Sequence, residues 1–214
     1  MDAIMKKKIL LIGGGGHCHS VLDSILAVGA YEDIGIIDNV NSSFLGIPVI
    51  GTDDDVLRLK SEGWTDAFIT IGSVGDTKLR HKLYEHVRNI GMNIPTIIDP
   101  TAVVAGGTEI SEGVFIGKKA VINTGSRIET CAIINTGAIV EHDCIIGSFS
   151  HISSGATVCG QVRVGNDSHV GAGSVIRQQS IIGNNVLIGA GSVVVKDIPE
   201  NVKAYGNPCM VVTE

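Results

Sequence analysis

From Val104 to Val194 every sixth residue is valine or isoleucine, sixteen in succession. Two places before each of them, from Ala102 to Ser192, stands a small or β-branched residue. β-branched side chains favour extended backbone, and Gly, Asn and Asp recur in the intervals, so the pattern predicts short strands separated by sharp bends. Three strands and three bends make a triangular coil of 18 residues. Coils hydrogen-bonded at a rise of about 4.8 Å would stack the branched residues into a dry axial column. Sixteen hexads amount to five coils and a third. A structural or ice-binding solenoid would need regular exposed faces, and the off-register positions here are irregular.

The composition agrees with such a column. Of 214 residues 28 are glycine and 44% are hydrophobic, yet only 4% are aromatic, which implies a core of Val, Ile and Ala with many tight turns. The length suffices for one large domain or two small ones. A net charge of -6 leaves no broad basic footprint for nucleic acid or an anionic membrane. Five cysteines, an odd number without CxxC spacing, point to reduced thiols in an intracellular protein. The apolar run after Met5, Lys6, Lys7 and Lys8 stops after four residues at Gly13, so it reads as a first strand rather than a secretory leader. No stretch approaches the roughly 18 to 20 apolar residues of a membrane span.

Before the hexads, apolar strands alternate with helical patterns. Strands are expected at Lys8 to Ile12, Ile34 to Asp38, Ala67 to Ile71 and Ile94 to Ile98. Helices are expected at His17 to Val28, Asp53 to Glu62 and Asp76 to Ile90, the last carrying Leu79, Leu83, Val87 and Ile90 at helical spacing. This βαβ series implies a parallel sheet of Rossmann-like topology. Pro95, Asp99 and Pro100 mark the passage onward, giving domains of 1–99 and 100–214.

The glycines Gly13, Gly14, Gly15 and Gly16 follow the first strand and open the first helix, where bare amides and the helix dipole suit a phosphate. Asp38 ends the second strand, placed to accept from a ribose hydroxyl. A GxGxxG fingerprint read from Gly13 meets Cys18 where glycine is wanted, and read from Gly14 meets His19. A single nucleotide diphosphate therefore fits better than NAD, against the plainer reading of a tight turn needed only for packing.

Three histidines of the hexad region carry the chemistry. His142 lies between Glu141 and Asp143 at a position projecting from the prism, where a carboxylate partner makes an imidazole a competent general base. His151 and His169 are 18 residues apart and should stack one coil above the other, beside a cofactor groove or a subunit interface. Their spacings, and the absence of a supporting carboxylate or cysteine spacing for the pair His17 and His19, argue against a metal. His81 and His86 lie on a predicted helix and receive no role.

With both halves in view the chain resembles, nearly end to end, the bacterial sugar O- and N-acetyltransferases. This hexapeptide-repeat group includes sialic acid O-acetyltransferase and the UDP-4-amino-sugar N-acetyltransferase of bacillosamine synthesis. The matching pieces are Gly13-Gly14-Gly15-Gly16-His17, Ile37-Asp38-Asn39, Ile71-Gly72-Ser73, Asn135-Thr136-Gly137 through Glu141-His142-Asp143, Gly147-Ser148-Phe149-Ser150-His151 and Gly206-Asn207-Pro208. The resemblance implies an α/β Rossmann-like domain followed by an all-β left-handed parallel β-helix. It implies a cytoplasmic homotrimer with acetyl-CoA in the grooves between neighbouring subunits, no metal, and a nucleotide-sugar held by Gly13 to Gly16, His17, Asp38, Asn39, Gly72 and Asn135. It makes His142 the base and Asp143 its orienting partner. The Gly160 N–H would polarise the thioester, His151 would meet the acetyl or amine end, and Ala172 and Ala190 would contact CoA. An amine acceptor is the first expectation. O-acetylation of sialic acid or another sugar hydroxyl is the alternative, and a non-catalytic nucleotide-sugar-binding protein on the same prism is the third.

Overall fold

A computed structural model describes residues 7–39, 43, 44 and 46–212. Met5 and Lys6, at the start of the expected leader-like run, lie outside the described residues. The chain divides into two compact units, one of residues 1–72 with 78–95 and one of Ser73–Thr77 with 96–214.

The first unit is built on a sheet in which β1 (Lys8–Ile12), β2 (Asp33–Ile37) and β5 (Asp66–Ile69) run parallel, with β1 in the middle. Helices α1 (Gly16–Val28), α2 (Val56–Ser61) and α3 (Lys78–Ile90) make the connections. Ile9, Leu10, Leu11 and Ile12 are all buried, as a central parallel strand covered on both faces requires. Val21, Leu22 and Ile25 of α1 are buried, as are Leu83 and Val87 of α3. Leu79 and Ile90, expected on the same stripe, are exposed and partly exposed; Arg80 and Tyr84 are buried instead.

The expected strand and helix at residues 34–38 and 53–62 lie in β2 and in a 3-10 turn, Asp53–Asp55, running into α2. A hairpin of β3 (Ser43–Phe44) and β4 (Ile47–Gly51), with β4 parallel to β2, has no counterpart in the sequence reading. β3 has only two residues, and Pro48 and Gly51 weaken the strand signal of β4. The strand expected over Ile94 to Ile98 is only Ile97–Ile98, and it pairs with Phe115–Ile116 rather than with the first sheet. Within the first unit Asn93 makes an isolated parallel bridge to Asp66.

The second unit is the left-handed parallel β-helix. Two-residue strands pair with partners 18 residues away, as Val121 with Ile139 and Ile139 with Thr157. Three sheets result, and they form three faces. The first runs from Ile97–Ile98 through His151–Ile152 to Leu187–Ile188, and is finished by the antiparallel pair Lys203–Tyr205 and Met210–Val212. The second contains Ile139–Val140 and ends at Val193–Val194, and the third runs from Glu109–Ile110 to Ile181–Ile182. From Ile116 onward every hexad aliphatic is buried, and they form one continuous core.

The residue two places earlier is small because it turns the corner. Buried hydroxyls there bridge the stack: Ser150 Oγ donates to the Gly165 carbonyl at 2.6 Å and accepts from the Ser168 N–H at 3.0 Å. Cys144 takes the same place, its thiol donating to the Cys159 carbonyl, and burial raises its pKa to about 11. The corner residue just before it, in the left-handed region, is often glycine, but Asp143 (φ 57°), Gln161 and Gln179 also adopt it. Among the described residues no helix is long and apolar enough to cross a membrane.

Candidate functional site

The glycine loop of the first unit is held by three hydrogen bonds. The Gly13 N–H donates to the Ile37 carbonyl at 2.8 Å, Thr70 Oγ1 donates to the Gly13 carbonyl at 2.6 Å, and the Gly14 N–H donates to Asp38 Oδ2 at 2.7 Å. Asp38 thus clamps the loop. Asn39 Nδ2 donates to Asp53 Oδ2 at 3.3 Å.

The glycines differ in why they are glycine. Gly13 has φ 106°, and a Cβ there would collide with the Ile71 side chain, so the fold demands it. At Gly15, with φ -85°, and at Gly16 a Cβ would meet nothing within 4 Å. Among the described residues nothing requires glycine at those two positions. They open α1, whose first turn has neither a side-chain cap nor an acidic residue, so amides and positive dipole face outward over bare backbone. That is a cradle for a phosphate. Gly72 and His17 meet beside it, since a Cβ on Gly72 would lie 3.4 Å from His17 Cβ. His19 is exposed, and among the described residues no cluster of His, Cys, Asp and Glu could hold a metal.

On the prism, His142 stands on the edge between the second and third faces. Its Nδ1 lies 2.9 Å from Asp143 Oδ2. A carboxylate can only accept, so Nδ1 carries the proton and Nε2 keeps its lone pair. The left-handed backbone at Asp143 turns its carboxylate back toward the preceding ring. The two side chains are 52% and 57% exposed, so the pair adds little stability and its consequence is orientation. One coil on, the backbone of Gly160 lies under the ring: a Cβ there would stand 2.5 Å from Nε2. The Gln161 N–H donates to the His142 carbonyl at 2.9 Å, locking the two turns together.

Asn135, His151, Ala172 and Ala190 lie elsewhere. Asn135, Ala172 and Ala190 occupy the edge between the first and second faces, and His151 is on the first face beside it. Within one chain they are not brought to His142. Counting residues in steps of 18 rather than six sorts them from the sequence. His151 Nε2 is 3.1 Å from Asn135 Nδ2, and its Nδ1 is 3.2 Å from the Ser73 carbonyl. The amide donates to Nε2, so Nδ1–H donates to Ser73, and the ring is fixed as one neutral tautomer.

His169 stacks edge-on against His151 with ring centres 4.9 Å apart, and its Nε2 is 3.1 Å from Ser153 Oγ. It is 9% exposed, and burial lowers its pKa. The segment Ser73–Thr77 is fastened to the prism again where Thr77 Oγ1 donates to Asp167 Oδ1 at 2.6 Å. The stacking of His151 on His169 matches their 18-residue spacing, but no hydrophobic period announces the contacts with Ser153 and Ser73–Thr77, and the sequence reading missed them.

Comparisons with known proteins agree with both halves. The family model described as PglD N-terminal domain matches residues 8–87, and that described as bacterial transferase hexapeptide (six repeats) matches 161–196. No curated protein matches the chain by sequence. Among solved structures, the acetyltransferase domain of PglB from Neisseria gonorrhoeae is 35% identical over 97% of this chain and 100% of that one, with a TM-score of 0.92. The same domain is also known in complex with acetyl coenzyme A. PerB from Caulobacter crescentus, in complex with CoA and GDP-perosamine, is 36% identical over 99% of both chains, with a TM-score of 0.91. Forms of that perosamine N-acetyltransferase with one histidine changed to asparagine or to alanine are known in the same complex. WeeI from Acinetobacter baumannii, 22% identical over 97% of this chain with a TM-score of 0.79, shares the fold. With more than a third of residues identical over almost the full length of the first two relatives, this chain belongs to the hexapeptide-repeat acetyltransferase family.

Proposed function

We propose that the protein transfers the acetyl group of acetyl-CoA to the amine of a nucleotide-linked amino sugar. The observation that carries this reading is the His142 ring, held by Asp143 with its basic Nε2 over the bare Gly160 backbone. The family and the ligands of its relatives supply the substrate class: PglB with acetyl-CoA, and PerB with CoA and GDP-perosamine.

In the reaction the sugar nitrogen attacks the thioester carbonyl while His142 Nε2 removes its proton. A C–N bond forms, the C–S bond breaks, and the proton passes to the departing thiolate. The developing imidazolium is stabilised by Asp143, and the oxyanion by the Gly160 N–H. The nucleotide diphosphate is held at the start of α1, with Gly13, Gly14, Gly15 and Gly16 forming the loop, Asp38 and Asn39 on the nucleoside side, and Gly72 and His17 at its flank.

The working unit is a homotrimer. His142 and Gly160 lie on one edge of the prism, and Asn135, Ala172 and Ala190 lie on another. A head-to-tail ring sets the first edge of one copy against the second edge of its neighbour and completes the site between them. Each groove then receives His151 and Asn135 from the copy opposite the base. An odd count of five cysteines without CxxC spacing supports a cytoplasmic location.

The test is thiol release from acetyl-CoA across GDP- and UDP-linked 4-amino sugars. His142→Ala should lower kcat by about 10² to 10⁴ while CoA still binds. A variant as active as the parent removes the base, and release with no acceptor in the panel removes the substrate class.

A further inference from the structure

The first face of the prism carries one arrangement twice. His151 and His169 are partners on neighbouring rungs, with Leu187 on the rung after them. Sixteen residues before each histidine stands a polar residue of the edge between the first and second faces, Asn135 before His151 and Ser153 before His169. In both pairs the histidine Nε2 meets that residue at 3.1 Å. The later pair is the more enclosed: Ser153 is 7% exposed and His169 9%, so His169 is a buried imidazole that the reaction proposed above does not use.

The segment Ser73–Thr77 runs across the same three rungs. The Ser73 carbonyl accepts from His151 Nδ1 at 3.2 Å, a Cβ on Gly75 would stand 2.8 Å from Leu187 Cδ1, and Thr77 is bonded to Asp167, two residues before His169. His169 is the middle rung, and its ring stands edge-on to His151 at an interplanar angle of 88°. Such an edge-to-face pair fixes the relative orientation of its rings as well as burying them.

What His151 holds in turn is Asn135. One Nδ2 hydrogen of Asn135 goes to His151 Nε2, and its Oδ1 accepts the Thr136 N–H at 2.8 Å, so the carboxamide plane is set at both ends. Among the described residues the second Nδ2 hydrogen has no acceptor, and Asn135 is only partly buried. A tilt of the His151 ring would loosen this bond, and a shift of its proton to Nε2 would set two N–H groups against each other.

We infer that His169 and Ser153 are positioning residues. His169 backs the His151 ring, Ser153 orients His169, and through His151 the two hold the Asn135 carboxamide toward the acyl-transfer site completed by the neighbouring copy. The inference rests on the transfer reaction and the homotrimer proposed above.

The test is steady-state kinetics with an acceptor that the parent protein uses, alongside NMR spectra of protein isotopically labelled at histidine. His169→Ala should lower kcat about 10- to 100-fold, the scale of a misplaced contact at a reacting centre, with the KM of acetyl-CoA changed by less than about twofold. His169→Phe, which keeps a ring against His151, should bring kcat back to within about threefold of the parent. Ser153→Ala, which removes a single hydroxyl, should lower kcat about three- to tenfold, and it carries the test if His169→Ala does not fold. In the spectra His151 should be one Nδ1–H tautomer in the parent and a mixture of both in His169→Ala. Parent-like kcat in His169→Ala or Ser153→Ala overturns the inference, and so does a loss that His169→Phe fails to recover, since the ring contact is then not what acts. A mixture of His151 tautomers in the parent overturns it with no acceptor needed. A parent protein that transfers to no acceptor in the panel removes the proposed reaction itself, and this inference with it.

Discussion

The α/β unit offers a ligand its backbone, and the prism offers side chains. At Gly15 and Gly16 the backbone carries no Cβ, and no described residue lies within 4 Å of where one would stand. On the prism, His142 and Asp143 project from a corner whose place is fixed by the stack beneath, with Val140 and Ile146 on either side fully buried. A backbone site is specified by what a residue lacks, and a solenoid site by which rung and which edge a residue occupies. The two should therefore fail differently when altered.

The largest effect belongs to the stack. Ile146→Ala empties a column that touches its neighbours above and below, and should cost about 2 to 5 kcal/mol in urea unfolding. A loss well under 1 kcal/mol would mean that the rungs close over the gap and do not hold one another in register.

Gly160→Ala comes next, and it separates site from scaffold. The methyl group would overlap the His142 ring without requiring a left-handed backbone. We expect kcat to fall by about 10²-fold, the scale of a displaced general base, while the unfolding midpoint stays within about 2 °C. Full activity would show that the ring has another way to stand.

In the glycine loop two neighbours should part company. Gly13→Ala meets Ile71 and a positive φ, so it should destabilise by about 1 to 3 kcal/mol. Gly15→Ala should leave thermal unfolding unchanged and raise KM for the nucleotide-sugar by about tenfold, because the methyl group occupies space meant for phosphate. Unchanged KM in the second variant would reduce the loop to a turn.

The smallest effect is electrostatic. Burial holds the His169 pKa below its ordinary 6.5, so the folded state binds fewer protons than the unfolded one as pH falls through that value. Stability therefore rises with pH across this window, is complete above about 6.5, and declines on acidification. His169→Gln should flatten the fall in unfolding midpoint between pH 7.5 and 5.5, and an unaltered slope would assign it to other groups.

How much could be read in advance follows from the same contrast. The inward aliphatics from Val104 to Val194 announce themselves because a repeated bend imposes one residue type at one interval, and the strand Lys8–Ile12 with its glycine loop is equally plain. The hairpin of β3 and β4 is hidden because β3 has two residues and β4 carries Pro48 and Gly51, which weaken a strand signal. Leu79 looks like core by spacing and is exposed, while Arg80 is buried, because the face that α3 covers is chosen by its neighbours.

By itself the sequence determined the prism, the Rossmann-like sheet before it, and the pairing of His142 with Asp143, since these rest on periodicity and on adjacent residues. Only the tertiary structure decided that Asp38 clamps Gly14, and that His151 and His169 sit against Ser73–Thr77. Each of those contacts joins residues far apart in the chain, and such meetings depend on how whole elements pack, which local pattern does not encode.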